Sequence, residues 1–170
     1  LDQFKIETNK RIKDMSKGTK SKLMLAISLT YSPSLLIFDE ITSGLDPIIR
    51  NTILQILKDY VKASKATIFF STHITSDLEN IANEVLLLHE GKIYFHKTMK
   101  ELHEDYLIYK CNFEKYHGIS KNGIERVLKN DNNYFLLAQR NCACKESFNE
   151  YKIPLVEDIM HFYIEGEACQ

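Results

Sequence analysis

Two carboxylates and a histidine stand directly after two apolar stretches of the sequence, and their types suit hydrolytic chemistry. Residues 35–38 lead into Asp39 and Glu40, and residues 66–72 lead into His73. A carboxylate near a hard cation, a second one near a water that must lose a proton and a histidine beside them suit metal-assisted hydrolysis at a phosphate group. The simpler alternative is that the Asp-Glu pair only ends a strand, and the flanking residues distinguish the two interpretations.

The two apolar stretches are predicted to be parallel strands. Each is a continuous aliphatic, β-branched and aromatic run without polar alternation, which is typical of strands that are buried on both faces. Residues 47–63 between them have apolar side chains at helical spacing, with Pro47 near the start, where it costs no hydrogen bond. A helical crossover makes the strands parallel, so we expect Asp39, Glu40 and His73 at the same carboxyl edge of one sheet, where open α/β sheets bind ligands.

Four short motifs surround these residues: MSKGT at 15–19, LLIFDE at 35–40, TSGLDP at 42–47 and FSTH at 70–73. In this order they resemble the signature motif, the Walker B strand, the D-loop and the switch-histidine loop of the ATP-binding cassette (ABC) ATPases. The resemblance extends over residues 1–103. Two positions depart from the family pattern. Ile41 stands where the family usually has proline, and Lys17-Gly18-Thr19 replaces the usual Gly-Gly-Gln.

The resemblance implies roles for the residues at the two strand ends. Asp39 would hold Mg²⁺, directly or through water, and Glu40 would polarise the attacking water. His73 would contact the γ-phosphate of ATP. ATP and Mg²⁺ are therefore the expected cofactors.

The start of the helix over residues 15–31 is expected to face an anion. Ser16 is an N-cap candidate, the Gly18 backbone offers an N–H donor, and Lys17 adds a positive charge. The resemblance implies that the anion is the γ-phosphate of an ATP held by the opposite subunit of a dimer. Asp46 precedes Pro47 and can cap the next helix, and the resemblance implies that it also couples the two nucleotide sites across the dimer.

Composition indicates a globular chain without a dominant electrostatic partner. The 170 residues are 44% hydrophobic and 26% charged, with a net charge of -1, so bulk nucleic acid is not an expected partner. No stretch approaches the roughly 18 consecutive apolar residues that span a membrane, and no signal peptide is visible, which favours a cytoplasmic protein. The four cysteines match no zinc pattern and are expected to be reduced thiols, and the spacing of Cys142 and Cys144 would put both on one face if the segment were a strand.

The remainder of the chain predicts the end of this domain and a second region. A short helix after His73, strands at 84–89 and 93–95 and a helix at 98–103 complete the first domain, residues 1–104. Residues 105–170 form a small accessory region with the predicted order strand, helix, strand and helix, at 107–113, 122–128, 134–138 and 155–164. The predicted fold class is α/β, a P-loop NTPase-like (RecA-like) parallel-sheet core that lacks its Walker A half, with a small α+β carboxy-terminal appendage.

The Walker A motif is absent from the sequence. Gly118 and Gly123 reproduce the glycine spacing of a P-loop, but Ile124 and Glu125 follow where lysine and a hydroxyl residue are required. The resemblance therefore covers the carboxy-terminal half of a cassette, and we expect this chain to be inactive by itself.

Two classes of function remain open on the sequence. The first is an ATP-hydrolysing subunit of an export-type ABC transporter, with ATP sandwiched between two nucleotide-binding subunits. Its partners would be that second subunit and a transmembrane permease subunit, at the inner face of the cell membrane, without nucleic acid. The alternative is a non-transport ABC ATPase that clamps ribosomes or chromosomes. A third interpretation is a fragment that is inactive on its own.

Overall fold

The structure is a computed structural model that describes Phe4, Ile6 and residues 10–169. It divides into two compact units, Leu1–Ile81 and Ala82–Gln170. The sequence also predicts the end of a helix and a connector over residues 1–14, of which residues 1–3, 5 and 7–9 lie outside the described part, and Ile12–Asp14 form a short 3₁₀ turn. Within the described part of the chain, no helix is long and apolar enough to cross a membrane.

The first unit is built from helices and two strands in alternation. Its elements are α1 (Lys17–Thr30), β1 (Leu35–Asp39), α2 (Pro47–Ser64), β2 (Thr67–Ser71) and α3 (Thr75–Ile81). β1 and β2 pair in parallel, with Asp39 opposite Ser71. The predicted strand, helix and strand are therefore confirmed, and both strands end at the same edge.

One apolar core lies under one face of this short sheet. Leu25 of α1 and Ile53 and Leu57 of α2 are completely buried, and Phe38 and Ile68 of the strands pack against them. These contacts hold the helices against the sheet, since burying each aliphatic side chain stabilises the fold by about 1.5–3 kcal/mol.

The expectation that both strands are buried on both faces is wrong for the described unit. Leu35, Ile37 and Phe69 point to the other face and are 53%, 68% and 61% exposed. An unbroken apolar run predicts a strand, but it does not show which elements will cover it. Here α1 and α2 contribute to a core on only one side.

The second unit contains a hairpin and an antiparallel sheet. Its elements are β3 (Glu84–His89), β4 (Lys92–Thr98), α4 (Met99–Glu104), β5 (Tyr106–Asn112), α5 (Phe113–Gly118), β6 (Ile124–Asn130), β7 (Asn133–Gln139), α6 (Val156–Glu165) and β8 (Glu167–Ala168). β3 pairs with β4, and the four-stranded sheet has the order β5-β7-β6-β8. Along the chain, the boundary between the two compact units lies between residues 81 and 82. The domain boundary between residues 104 and 105 stays a prediction from composition.

The helix predicted at residues 122–128 is wrong, because this segment forms β6. Ile124 and Val127 are three residues apart, a spacing that also fits a helical face, yet both are buried in the sheet core. The pairing of β6 with β7 shifts register between Ile124 and Arg126. Such an irregularity inserts an extra residue into the strand and breaks its strict alternation. Residues at a spacing of three can then share one face of a strand.

The segment that holds Cys142 and Cys144 is not a strand. Cys142 and Cys144 follow β7 in a region of turns, and both are buried. Their sulfurs are 3.0 Å apart. Gly123 packs against the same turn, with a φ of +86°, and a Cβ atom there would lie 2.8 Å from the Cα and Cβ atoms of Cys142.

Candidate functional site

Asp39 and Glu40 leave the end of β1 with different partners. The hydroxyl of Ser71, on the neighbouring strand, donates to Asp39 Oδ1 at 2.5 Å. The Glu40 backbone N–H donates to the Ser71 carbonyl oxygen at 3.2 Å. Glu40 then adopts a left-handed backbone conformation, with φ of 50°. This conformation is unfavourable for a residue with a Cβ atom, and strained residues of this kind are often found at active sites.

The Glu40 carboxylate contacts His73 directly. Glu40 Oε2 lies 2.7 Å from His73 Nδ1, and the two side chains are 38% and 66% exposed. The structure thus brings Asp39, Glu40 and His73 to one edge of the parallel strands. A carboxylate at this position can accept a proton from a bound water.

Thr42 and Asp77 lie behind this edge and are completely buried. The Thr42 hydroxyl donates to Asp77 Oδ2 at 2.6 Å. Arg50 of α2 approaches the other carboxylate oxygen, with its Nε 3.3 Å from Asp77 Oδ1. Sequence reasoning placed Thr42 in the D-loop but gave it no role, and it missed Asp77, Arg50 and Ser71. The only available signals were a hydroxyl residue two positions after Glu40 and an acidic residue four positions after His73.

Ser16 and Asp46 cap two helices, as predicted. Ser16 Oγ accepts a hydrogen bond from the Thr19 backbone N–H at 3.1 Å and precedes α1. Asp46 Oδ1 accepts from the backbone N–H groups of Ile48 and Ile49 at 3.1 and 3.0 Å, at the start of α2. Both side chains satisfy N–H groups that the first helical turn leaves without partners.

Lys17 and Gly18 pack against the D-loop and α2 of the same chain. A Cβ atom on Gly18 would lie 2.6 Å from Ile49 Cδ1, so the absence of a side chain there allows α1 to approach α2 closely. A Cβ atom on Gly44 would lie 2.6 Å from Lys17 Nζ, which places the ammonium group beside the D-loop. Among the described hydrogen bonds and ion pairs, none joins Lys17 or Gly18 to Glu40 or His73.

The residues at this edge fit part of a site for Mg²⁺ and ATP. Asp39 and Glu40 supply carboxylate oxygens, the ligand type that Mg²⁺ prefers. Within the described residues, no three His, Cys, Asp or Glu side chains cluster closely enough to hold a metal ion by themselves. The sequence has no P-loop to cradle a triphosphate.

The parallel strands, their helical crossover and the carboxylates at their carboxyl edge define an α/β domain of the P-loop NTPase type. A solved structure described as cbiO1 from Clostridium perfringens, part of the ABC transporter complex cbiONQ, matches with a TM-score of 0.53. It is 30% identical and covers 60% of this chain and 41% of its own. This similarity confirms the predicted fold class.

Curated proteins and a family model also match parts of the chain. A family model described as "AAA domain, putative AbiEii toxin, Type IV TA system" matches residues 5–76. The bacitracin transport ATP-binding protein BcrA of Bacillus licheniformis is 40% identical over 51% of this chain and 28% of its own length. The lantibiotic transport ATP-binding protein SrtF of Streptococcus pyogenes is 43% identical over 51% of this chain and 37% of its own length.

Parts of the chain are therefore similar to ATP-binding subunits of ABC transporters, the class that its four motifs resemble. The chain spans about a third of the length of the curated relatives that it matches.

Proposed function

We propose that the complete protein is an ATP-binding and ATP-hydrolysing subunit of an ABC transporter. The observation that carries the proposal is the contact of Glu40 with His73 beside Asp39, at the carboxyl edge of β1 and β2. The relatives are named as transport ATP-binding proteins, which supports transport over a clamp on ribosomes or chromosomes. The proposed partners are a second nucleotide-binding subunit and a transmembrane permease subunit, at the inner face of the cell membrane.

In this proposal each residue at the strand ends has one task. Asp39 holds Mg²⁺, which supplies electrostatic stabilisation of the phosphate charge when it is bound. Glu40 accepts the proton of the attacking water, and its carboxylate lies beside His73. His73, which is two-thirds exposed, is free to reach a phosphate oxygen of a bound nucleotide.

The remaining predicted residues serve the dimer. The helix start at Ser16, Lys17 and Gly18 faces the γ-phosphate of the ATP that the partner subunit holds. Asp46 couples the two sites, since the cap that it forms ties the D-loop to α2. ATP is thereby sandwiched between two subunits, and ordering of the D-loop in one subunit would affect the nucleotide site of the other.

Glu40→Gln in the complete protein tests the assignment. The amide cannot accept the proton of water, so we expect the variant to bind ATP as the wild type does and to hydrolyse it about 10²–10⁴-fold more slowly. Nucleotide binding is measured by calorimetry and turnover by phosphate release.

Glu90→Gln is the matched control. Glu90 has the same side chain and nearly the same left-handed backbone, with φ of 48° against 50° for Glu40, but it lies in the β3–β4 turn. The Glu90→Gln variant should have the turnover of the wild type. Hydrolysis by Glu40→Gln at the wild-type rate, or an equal loss in both variants, would show that Glu40 is not the base.

A further inference from the structure

Asp77 is the one charged side chain among the described residues that is buried. A carboxylate removed from water is strongly unfavourable unless hydrogen bonds and an opposite charge compensate. Thr42 supplies the hydrogen bond at 2.6 Å, and Arg50, whose side chain is 25% exposed, supplies the charge at 3.3 Å. A buried group with such partners has one well-defined position, because each alternative leaves the charge without them.

These contacts join the segments that carry the two proposed catalytic groups. Thr42 lies two residues after Glu40, in a turn where the Ser43 N–H donates to the Glu40 carbonyl oxygen at 3.0 Å. Asp77 lies four residues after His73, in the first turn of α3. The hydrogen bond between Thr42 and Asp77 is therefore a direct side-chain link between the Glu40 turn and the His73 loop.

The contact between Glu40 and His73 is too exposed to hold this arrangement by itself. Their side chains are 38% and 66% accessible, and exposed pairs of this kind contribute little to the preference for one geometry. The link behind them is completely buried and includes a charge. The geometry at the exposed edge then depends on the buried link.

We propose that Asp77 is a positioning residue for ATP hydrolysis, which acts by holding the Thr42 turn and the His73 loop together and so sets the separation of Glu40 and His73. The inference rests on the proposed function, and it concerns a residue whose side chain is completely buried. Arg50 completes the link, because it extends the contact to α2 and also reaches the Ser76 hydroxyl at 3.5 Å.

Thr42→Val in the complete protein tests the proposal. Valine keeps the shape of threonine but removes the donor, which leaves Asp77 Oδ2 without its partner. A displacement of about 1 Å at a reacting group can lower the rate by about 10²-fold. We expect kcat to fall by about 10-fold to 100-fold, while the KM for ATP changes by less than about twofold, since no group that binds nucleotide is altered.

Thr42→Ser and Thr52→Val are the matched variants. Serine restores the hydroxyl and should keep kcat within about threefold of the wild type. Thr52→Val makes the same substitution on α2, where the lost hydrogen bond goes only to the Ile48 carbonyl oxygen, and it should leave kcat unchanged. If Thr42→Val does not fold, Asp77→Asn supplies the test. It keeps an acceptor for Thr42 but loses the ion pair with Arg50, and kcat should again fall without a matching change in KM.

Each outcome separates this inference from the proposed function. If Glu40→Gln is inactive but Thr42→Val, or Asp77→Asn in its place, has the kcat of the wild type, the inference is overturned and the proposed function stands. Failure of serine to restore kcat, or an equal kcat loss in Thr52→Val, also overturns it. If the wild type does not hydrolyse ATP, both are overturned.

Discussion

Gly123→Ala should destabilise the second unit strongly, because two separate penalties meet at this position. The φ of Gly123 is +86°, and a residue with a Cβ atom is about 1–2 kcal/mol less stable in a left-handed conformation. The new methyl group would also lie 2.8 Å from the Cα and Cβ atoms of Cys142. Since one of these atoms is backbone, the turn itself must move, and overpacking of this kind costs about 1–3 kcal/mol. The expected loss of unfolding free energy is about 2–5 kcal/mol.

Gly91→Ala separates the two penalties. Gly91 has a φ of +73°, but a Cβ atom there would have no neighbour within 4 Å, so only the conformational penalty of about 1–2 kcal/mol applies. Both variants are measured by urea denaturation with tyrosine circular dichroism, which reports mainly on the second unit because only Tyr31 and Tyr60 lie outside it. Equal losses of unfolding free energy in the two variants would show that the turn at Cys142 moves without an energetic cost and that the packing argument is wrong.

Two further predictions concern acid stability and nucleotide binding. Burial raises the pKa of Glu125, but hydrogen bonds from Tyr163, Tyr106 and Gln139 outweigh it and hold the carboxyl pKa below its ordinary value of 4.5. The resulting stability is present above that value and is lost as the pH falls through the lower, folded-state pKa, so Glu125→Gln should flatten the dependence of urea midpoints on pH below about 5. An unchanged slope would contradict this. By itself, the present chain should bind Mg-ATP negligibly in calorimetry, because carboxylates repel the triphosphate and no P-loop compensates, and tight binding would show that the nucleotide site has been misassigned.

Local patterns were sufficient to predict most elements of the first unit. Helix caps depend on neighbouring residues only, so Ser16 and Asp46 could be assigned before any fold was known. The parallel pairing of β1 and β2 followed from the helix between them, since a crossover of that length brings the second strand back in the same direction.

The same local reasoning failed where partners are distant along the chain. The apolar spacing of Ile124 and Val127 also fits a helix, and only the register shift against β7 explains how both face the core of a sheet. No carboxylate stands at a spacing from His96 that predicts a partner, yet the His96 Nε2 lies 2.7 Å from Glu84 Oε2, because β3 and β4 pair side by side. Neither the register shift nor the contact of His96 with Glu84 can be predicted from the order of the residues alone.

Residue types and strand patterns were enough to predict Asp39, Glu40 and His73 as candidate site residues and to predict the edge of the sheet at which they lie. These residues follow apolar strands, and the direction of a strand is set by short-range rules. The contacts that hold them in place are known only from the folded chain. Thr42 and Asp77 are 35 positions apart, and their burial and 2.6 Å contact exist because the D-loop and α3 are packed together. A buried carboxylate requires a hydrogen-bond partner. The sequence does not identify that partner, because it depends on which donors the folded chain places within hydrogen-bond distance.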